Sequence, residues 1–547
     1  MTVKSVKLSN LVIAIQSTWP QRPVQRAPLF LWLSAALIAT LAALPLGYLI
    51  IRASGAGLDK VIDILLQART HQIFLGSLGL ALSVTLTSVV VGVLLAWLVV
   101  RTDLPGRKIW AVLTVLPLVI PSYVGAFTLI SALGPKGLVQ GWLEPLGLER
   151  LPTIYGFHGA WLTLTLFTYP YALLSVRAAL RGLDPSLEEA ARSLGRSQLQ
   201  VFREITLPHL RPSIAAGGLL VALYTLSDFG AVSMLRFDAF TRAIYLQYSA
   251  SFDRSVAAVL ALLLVGVTLV ILVFEKRMRG KARYYRSSAG AVRPAATIQL
   301  GVWRWPALAF CGLVTLLALV IPLTVVGYWL VRGALAGEVV SLRLDVVLNS
   351  MLGSGSAGLV AMVAAIPVTV LAIRFPGHLS SWLERSTYIG YALPGVVIAL
   401  SLVFFGANYA VILYQTIFML IFAYVVRFLP QAVGSTRASL LQVSPRLEEA
   451  ARNLGRTPLQ TLTSITVPLI RPGLLTGLAL VFLTAMKELP ATLILGPTGF
   501  STMATQIWDT TAQAFFAQAA VPSLLLVLVS AVAVWIILWQ EEKRARS

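Results

Sequence analysis

Residues 185–212 read PSLEEAARSLGRSQLQVFREITLPHLRP, and residues 445–472 read PRLEEAARNLGRTPLQTLTSITVPLIRP, the same helix signals in the same register. Both copies are polar and interrupt an apolar chain: 57% of its 547 residues are hydrophobic, 12% are charged and the mean hydropathy is +0.82. That composition excludes a soluble domain and marks an integral membrane protein. The duplicated segment cannot lie in hydrocarbon, so it belongs to a membrane surface.

Apolar runs long enough to span, roughly 20 residues each, surround the first copy at 29–51, 73–100, 109–131, 155–176, 213–235 and 256–275. The second copy has its own set at 306–331, 347–373, 387–406, 411–429, 473–496 and 519–540. The expected fold is therefore an all-α integral membrane protein, with about twelve transmembrane helices in two homologous six-helix halves. The boundary between 406 and 411 is the least defined. Residues 1–28 form an N-terminal segment, 29–275 the first half, 276–305 a basic polar linker, 306–540 the second half and 541–547 a tail. The run at 29–51 exceeds the apolar core of a cleavable signal, about 7–15 residues, and is read as a retained first span.

Lys and Arg number 43 against 22 acids, a net +21. The excess is concentrated on one side: Arg101, Arg107 and Lys108, then 177–211, 276–304 and 427–471. The opposite loops balance Lys60 with Asp59 and Asp63, and Arg343 with Asp345. By the positive-inside rule both termini, including Lys4, Lys7, Arg22 and Arg26, are cytoplasmic. Nucleic acid is not an expected partner, because no soluble domain carries a basic face interleaved with aromatics. Cys311 stands alone in an apolar run, and His71, His158, His209 and His378 lack ligand spacing, so no protein-built metal centre is expected.

Each duplicated segment writes out its own helix ends. Asp184 or Ser444 is placed to cap, Pro185 or Pro445 stands at the first helical position, and Glu188-Glu189 or Glu448-Glu449 lie where the macrodipole favours anions. Gly195 or Gly455 then supplies a left-handed stop. Ser197 or Thr457 caps a second short helix, expected to end near Pro208 or Pro468 ahead of Arg211-Pro212 or Arg471-Pro472. Leu187, Ala190, Ala191 and Leu194 fall on one narrow stripe. Simple packing on the end of the bundle would suit the alanines, while a short loop tethered to the bilayer at both ends is poorly placed to read DNA.

Glu-Ala-Ala, then Gly, then Ile-x-x-Pro resembles the EAA loop of bacterial ABC-importer permeases. Its occurrence twice makes the whole chain similar to the fused two-domain permeases of ferric-iron uptake, relatives of the thiamine and phosphonate permeases, with two MetI-like halves. The resemblance implies that Glu188, Glu189, Ala190, Ala191 and Gly195, and Glu448, Glu449, Ala450, Ala451 and Gly455, form coupling helices that dock in a groove of a cytoplasmic ATPase. No G-x-x-x-x-G-K-[ST] phosphate cradle occurs in the chain, so it is not itself the enzyme: ATP and Mg belong to a separate subunit. Two loops imply two ATPases, and the family implies an extracytoplasmic solute-binding protein and a bacterial inner membrane. Ferric iron as cargo rests on the same resemblance, chiefly residues 486–492, MKELPAT, and 227–231, SDFGA. Thiamine or a phosphonate is the alternative.

Asp228 and Glu488 stand at matching places after the two loops, within spans where ionised groups are costly. Either Lys487 neutralises Glu488 locally, or both acids lie near the outer interface, or Asp228 and Glu488, with Lys487 beside them, line a water-filled path between the halves. Pro117, Pro121, Pro170 and Pro394 can kink their spans. A secondary transporter of the facilitator type also has two six-helix halves, and residues 101–108, RTDLPGRK, look like its loop; that fold leaves the twin EAA loops unexplained.

Overall fold

The computed structural model describes residues 27–55, 57–135, 137–147, 151–183, 185–250, 255–278, 297–338 and 343–546. Asp184, nearly all of the N-terminal segment and linker residues 279–296 lie outside the described residues, as do the basic groups expected there. The described residues are helical apart from turns and one isolated bridge, Thr102 to Ile298. That bridge ties the far end of the linker to the loop that holds Asp103, where the Leu300 N–H also donates to Asp103 Oδ1 at 2.9 Å.

In the first half the long helices are α1 (Leu29–Ser54), α2 (Ala68–Arg101), α3 (Ser122–Leu133) and α4 (Phe157–Gly182). The surface helix α5 (Pro185–Ser193), then α6 (Leu207–Ser227) and α7 (Ser255–Met278), complete it. The second half repeats this order as α8 (Ile321–Leu335), α9 (Leu344–Arg374), α10 (Gly395–Tyr409), α11 (Ile417–Leu440), α12 (Pro445–Asn453), α13 (Val467–Met486) and α14 (Phe516–Arg546). Eight helices among the described residues are long and apolar enough to cross a bilayer, or ten when each bent pair counts as one span. The other two expected spans correspond to α4, which buries Thr163, Thr165, Thr168 and Tyr169, and α14. The least defined boundary falls in a turn between Tyr409 and Ile417.

Four expected spans are broken rather than straight. Pro121 and Pro394 have extended ψ values of 148° and 150° and start α3 and α10 afresh. In the second half the segments on either side meet at 105°. A proline lacks the N–H that would continue the ladder and pushes its predecessor out of the helical region. Likewise α6 stops at Ser227 and α13 at Met486, each followed by a short helix, Gly230–Met234 or Pro490–Leu495. Pro170, by contrast, stays inside α4.

The second helix of each duplicated loop does not end at Pro208 or Pro468 as expected. It runs through one π-helical turn, Phe202–Thr206 or Leu462–Thr466, into α6 or α13. Each proline lies at the start of the new segment, and the wider turn absorbs its missing donor.

Packing within each half relies on close backbone approach. A Cβ added at Gly92 of α2 would lie 2.8 Å from the Leu173 amide nitrogen of α4, and one at Gly217 of α6 2.8 Å from Ala172 Cα. Small residues permit this where lipid supplies no hydrophobic drive for association. The first helix of each half, however, packs on the other half. Ser401 Oγ of α10 donates to Pro45 O of α1 at 2.5 Å, and Tyr48 of α1 meets Phe405 and Tyr409 edge to face at 5.9 and 5.8 Å. Conversely Trp329 Nε1 of α8 donates to Ser131 Oγ of α3 at 2.5 Å. The sequence repeats are thus interleaved in space.

Candidate functional site

Both duplicated loops close with the same geometry. Gly195 and Gly455 have φ of +83° and +85°, which a side chain would strain, and no Cβ clash accounts for either glycine. Arg196 N–H bonds Ala191 O and Gly195 N–H bonds Arg192 O; Arg456 with Ala451, and Gly455 with Arg452, repeat the pattern. Thr457 and Gln460 form a reciprocal capping box, and Ser197 with Gln200 reproduces it in the first loop. Ser444 occupies the cap position of α12, but its side chain makes no capping bond.

The orientation of these helices inverts the usual amphipathic rule. On α12 the acid Glu448 is buried together with Ala451, while Leu447, Ala450 and the following Leu454 face outward, Leu454 being 86% exposed. In the first loop Ala191 is buried and Ala190 and Leu194 are exposed, Leu194 by 84%. Glu189 is exposed and Glu449 half-buried. The alanine stripe therefore splits: one alanine packs inward and the other stands beside an exposed leucine.

The inward acids hold matching latches. Arg374, the last residue of α9, donates through Nε to both carboxylate oxygens of Glu448 at 3.1 and 3.0 Å, and through Nη2 to Val443 O at 3.0 Å. Thr466 Oγ1 adds a bond at 3.1 Å. In the first half Arg101, the last residue of α2, donates to Glu188 Oε1 at 3.0 Å, and Thr206 Oγ1 donates to the same oxygen at 2.8 Å. Each duplicated loop is thereby tied to the end of the preceding span and to the π-turn that opens the next one. Sequence reasoning placed Glu188 and Glu448 in the loop but gave no sign of Arg101 and Arg374, whose partners lie 87 and 74 positions away.

Deeper in the bundle the breaks in the spans converge on the second candidate group. Asp228 and Glu488 are 7% and 4% exposed, and each caps the short helix that follows its break. The Ala231 and Val232 N–H groups donate to Asp228 Oδ1 at 3.0 and 3.3 Å, and the Ala491 N–H donates to Glu488 Oε1 at 3.2 Å. Ser122, opening α3, donates to Asp228 Oδ2. The same place in the second half is Gly395, opening α10, and there Arg427 Nη1 of α11 pairs with Glu488 Oε1 at 2.6 Å. A Cβ at Gly395 would collide with both of those groups, so the glycine makes the space that the guanidinium fills. Glu488 is therefore neutralised by Arg427 and not by Lys487. Lys487 Nζ instead crosses to the other half and donates to Leu118 O at 3.1 Å, beside the break at Pro121. Among the described residues no group of three or more His, Cys, Asp and Glu side chains is placed to hold a metal ion.

The profile of one family, described as "Binding-protein-dependent transport system inner membrane component", matches residues 88–283 and 358–546. The chain is 36% identical to the Fe(3+)-transport system permease protein FbpB 2 of Haemophilus influenzae, over 95% of this chain and 99% of that one. It is 26% identical to the ferric transport system permease protein FbpB of Actinobacillus pleuropneumoniae, over 80% of this chain and 66% of its relative. It is also 26% identical to the sulfate transport system permease protein CysT of Salmonella typhimurium, over 44% of this chain and 87% of that protein.

Proposed function

Because the chain belongs to the binding-protein-dependent transport system inner membrane components, the permeases of ABC importers, we propose that it carries ferric iron across a bacterial inner membrane. An extracytoplasmic solute-binding protein delivers the cargo, and two copies of a separate ATPase drive its passage, with both termini of the permease on their side. The observation that carries the ATPase assignment is the outward apolar stripe of the two loops: exposed leucines at matching places on a polar surface mark a docking face. On this reading Glu189, Ala190, Glu449, Ala450, Leu194 and Leu454 meet the ATPase, while Glu188 and Glu448 act from behind, transmitting its movement to α2 and α9. The iron assignment is supported by the ferric permeases that the chain resembles over most of its length.

Three measurements test this. Replacing Leu194 and Leu454 together with Asp should cut co-purification of the ATPase in detergent about tenfold or more while the permease itself remains folded; undiminished recovery of the ATPase would refute the docking face. A ligand screen on the partner binding protein should show preference for Fe(III), and a preference for thiamine, a phosphonate or sulfate would overturn the iron assignment. Asp228→Asn with Glu488→Gln should then lower radiolabelled iron uptake with the ATPase still attached. Uptake at the wild-type rate would remove both acids from the path.

A further inference from the structure

The two latches are equivalent, but their surroundings are not. In the first half Trp97, one helical turn before Arg101, meets Phe202, the first residue of the π-turn, edge to face at 4.8 Å, and the buried Val201 precedes Phe202. The residues at these places in the second half are Val370, Leu462 and Thr461. Two rings are thus exchanged for smaller aliphatic groups and a valine for a hydroxyl, and a cavity of about 70 Å³ opens beside Arg374 and Glu448. Pro28, Phe30 and Leu31 at the start of α1 form its other wall. The Thr461 hydroxyl is buried and has no hydrogen-bond partner among the described residues. Arg374 and Arg452 both line the cavity and both approach Glu448, at 3.0 and 3.9 Å, so two guanidiniums share one carboxylate and the lining carries a net positive charge.

The cavity lies at the level of lipid headgroups. The span α1 begins beside it, with Leu29, Leu33 and Leu37 exposed along one side, and the span α9 ends beside it at Arg374. The short helix His378–Thr387 packs its Leu383 into the same apolar cluster as Leu31 and turns Leu379 and Trp382 outward. An exposed tryptophan beside an exposed leucine marks the interface between membrane and water.

We propose that this cavity binds the phosphate group of an anionic phospholipid, one per chain, with the acyl chains lying along the exposed leucines of α1. A guanidinium recognises phosphate oxygens through charge-assisted hydrogen bonds, and the Thr461 hydroxyl supplies a donor that the chain itself does not use. One water needs about 10–15 Å³ of such space, so a phosphate group fits and a whole lipid does not. The single negative charge of a phosphodiester balances the lining. Glu448 does not repel it, because Arg374 already holds both carboxylate oxygens. The first half has no such site, since Trp97 and Phe202 fill the place with the chain's own rings. In the second half the bilayer supplies the filling, and the lipid braces the loop against α9 and α1. The site holds whatever solute crosses.

The test counts the lipids that the full-length permease retains in native mass spectrometry after titration in detergent with phosphatidylglycerol or phosphatidylcholine. The wild-type chain should keep one phosphatidylglycerol about tenfold more tightly than phosphatidylcholine. Copying the first half, with Val370→Trp, Thr461→Val and Leu462→Phe together, should remove that lipid while the melting temperature in phosphatidylcholine nanodiscs stays at or above the wild-type value. Arg452→Gln, which leaves the packing as it is, should weaken retention about tenfold, and Arg452→Lys should recover part of it. These two variants decide the matter if the triple variant does not fold. Inorganic phosphate added to delipidated permease should raise the melting temperature less than phosphatidylglycerol does; an equal rise would make the ligand a free phosphate and overturn the lipid assignment. Equal retention of both lipids, or retention of phosphatidylglycerol undiminished by Arg452→Gln or by filling the cavity, would overturn the site.

Discussion

Glu448→Ala is expected to abolish transport and to lower the stability of the permease by about 3–5 kcal/mol, the usual result of removing one partner from a buried ion pair. The side chains of Arg374 and Glu448 are 8% and 5% exposed, so solvent does little to screen the charge left behind. Arg374 would keep only Val443 O, and Thr466 would lose its acceptor. The equivalent Glu188→Ala should cost a comparable amount: Glu188 is 19% exposed, but Arg101, the charge left behind, is only 3% exposed. Iron uptake with the ATPase present measures the loss of transport, and thermal unfolding in detergent measures the loss of stability. Replacing both Arg374 and Glu448 with leucine should recover much of the stability, because no charge then stays buried, yet transport should remain impaired if the latch passes movement from α12 to α9. An unchanged melting temperature for Glu448→Ala would show that the pair does not hold the loop.

Gly395→Ser is the second change with a large expected effect, although it only copies into the second half the residue that the first half has. Ser122 fits because the first half has Phe167, not an arginine, at the corresponding place in α4, and its hydroxyl is accepted by Asp228. At Gly395 the added Cβ would take the space of the Arg427 guanidinium and push it off Glu488. The expected loss is about 3 kcal/mol or more, with uptake falling to background. The reverse change, Ser122→Gly, removes one hydrogen bond to a carboxylate and should cost about 1.5–3 kcal/mol. Arg427→Met in the Gly395→Ser background should relieve the crowding in part. Equal melting temperatures for Gly395→Ser and the wild type would mean that Arg427 has room elsewhere.

Much of the fold was open to reading along the chain, because the bilayer demands that each span satisfy its own backbone and be apolar over its length. The apolar runs, the duplicated loops and the glycine stops are local signals of that kind, and each found its helix or turn. The breaks were half legible. Pro121 and Pro394 marked places where a ladder could fail, but Pro170 carries the same signal and stays in α4, since whether a freed carbonyl is satisfied depends on its neighbours.

At the candidate site the same division holds. Asp228, Glu488 and Lys487 could be picked out as charges in apolar surroundings, but their bonds could not. Arg427 reaches Glu488 across 61 positions, and Lys487 reaches Leu118 across 369. The inward turn of Glu448 runs against its own helix pattern, because the partner that makes burial tolerable sits at the end of another span. The sequence by itself determined the membrane class, the two-fold repeat and the two loops, all consequences of hydropathy and backbone chemistry acting over short range. Only the tertiary structure decided which face each loop presents, that α1 and α8 are exchanged between the halves, and that the two centres differ through Ser122 and Gly395. Those outcomes depend on which groups meet across long stretches of chain, and an ion pair or a close approach exists only once the helices have met.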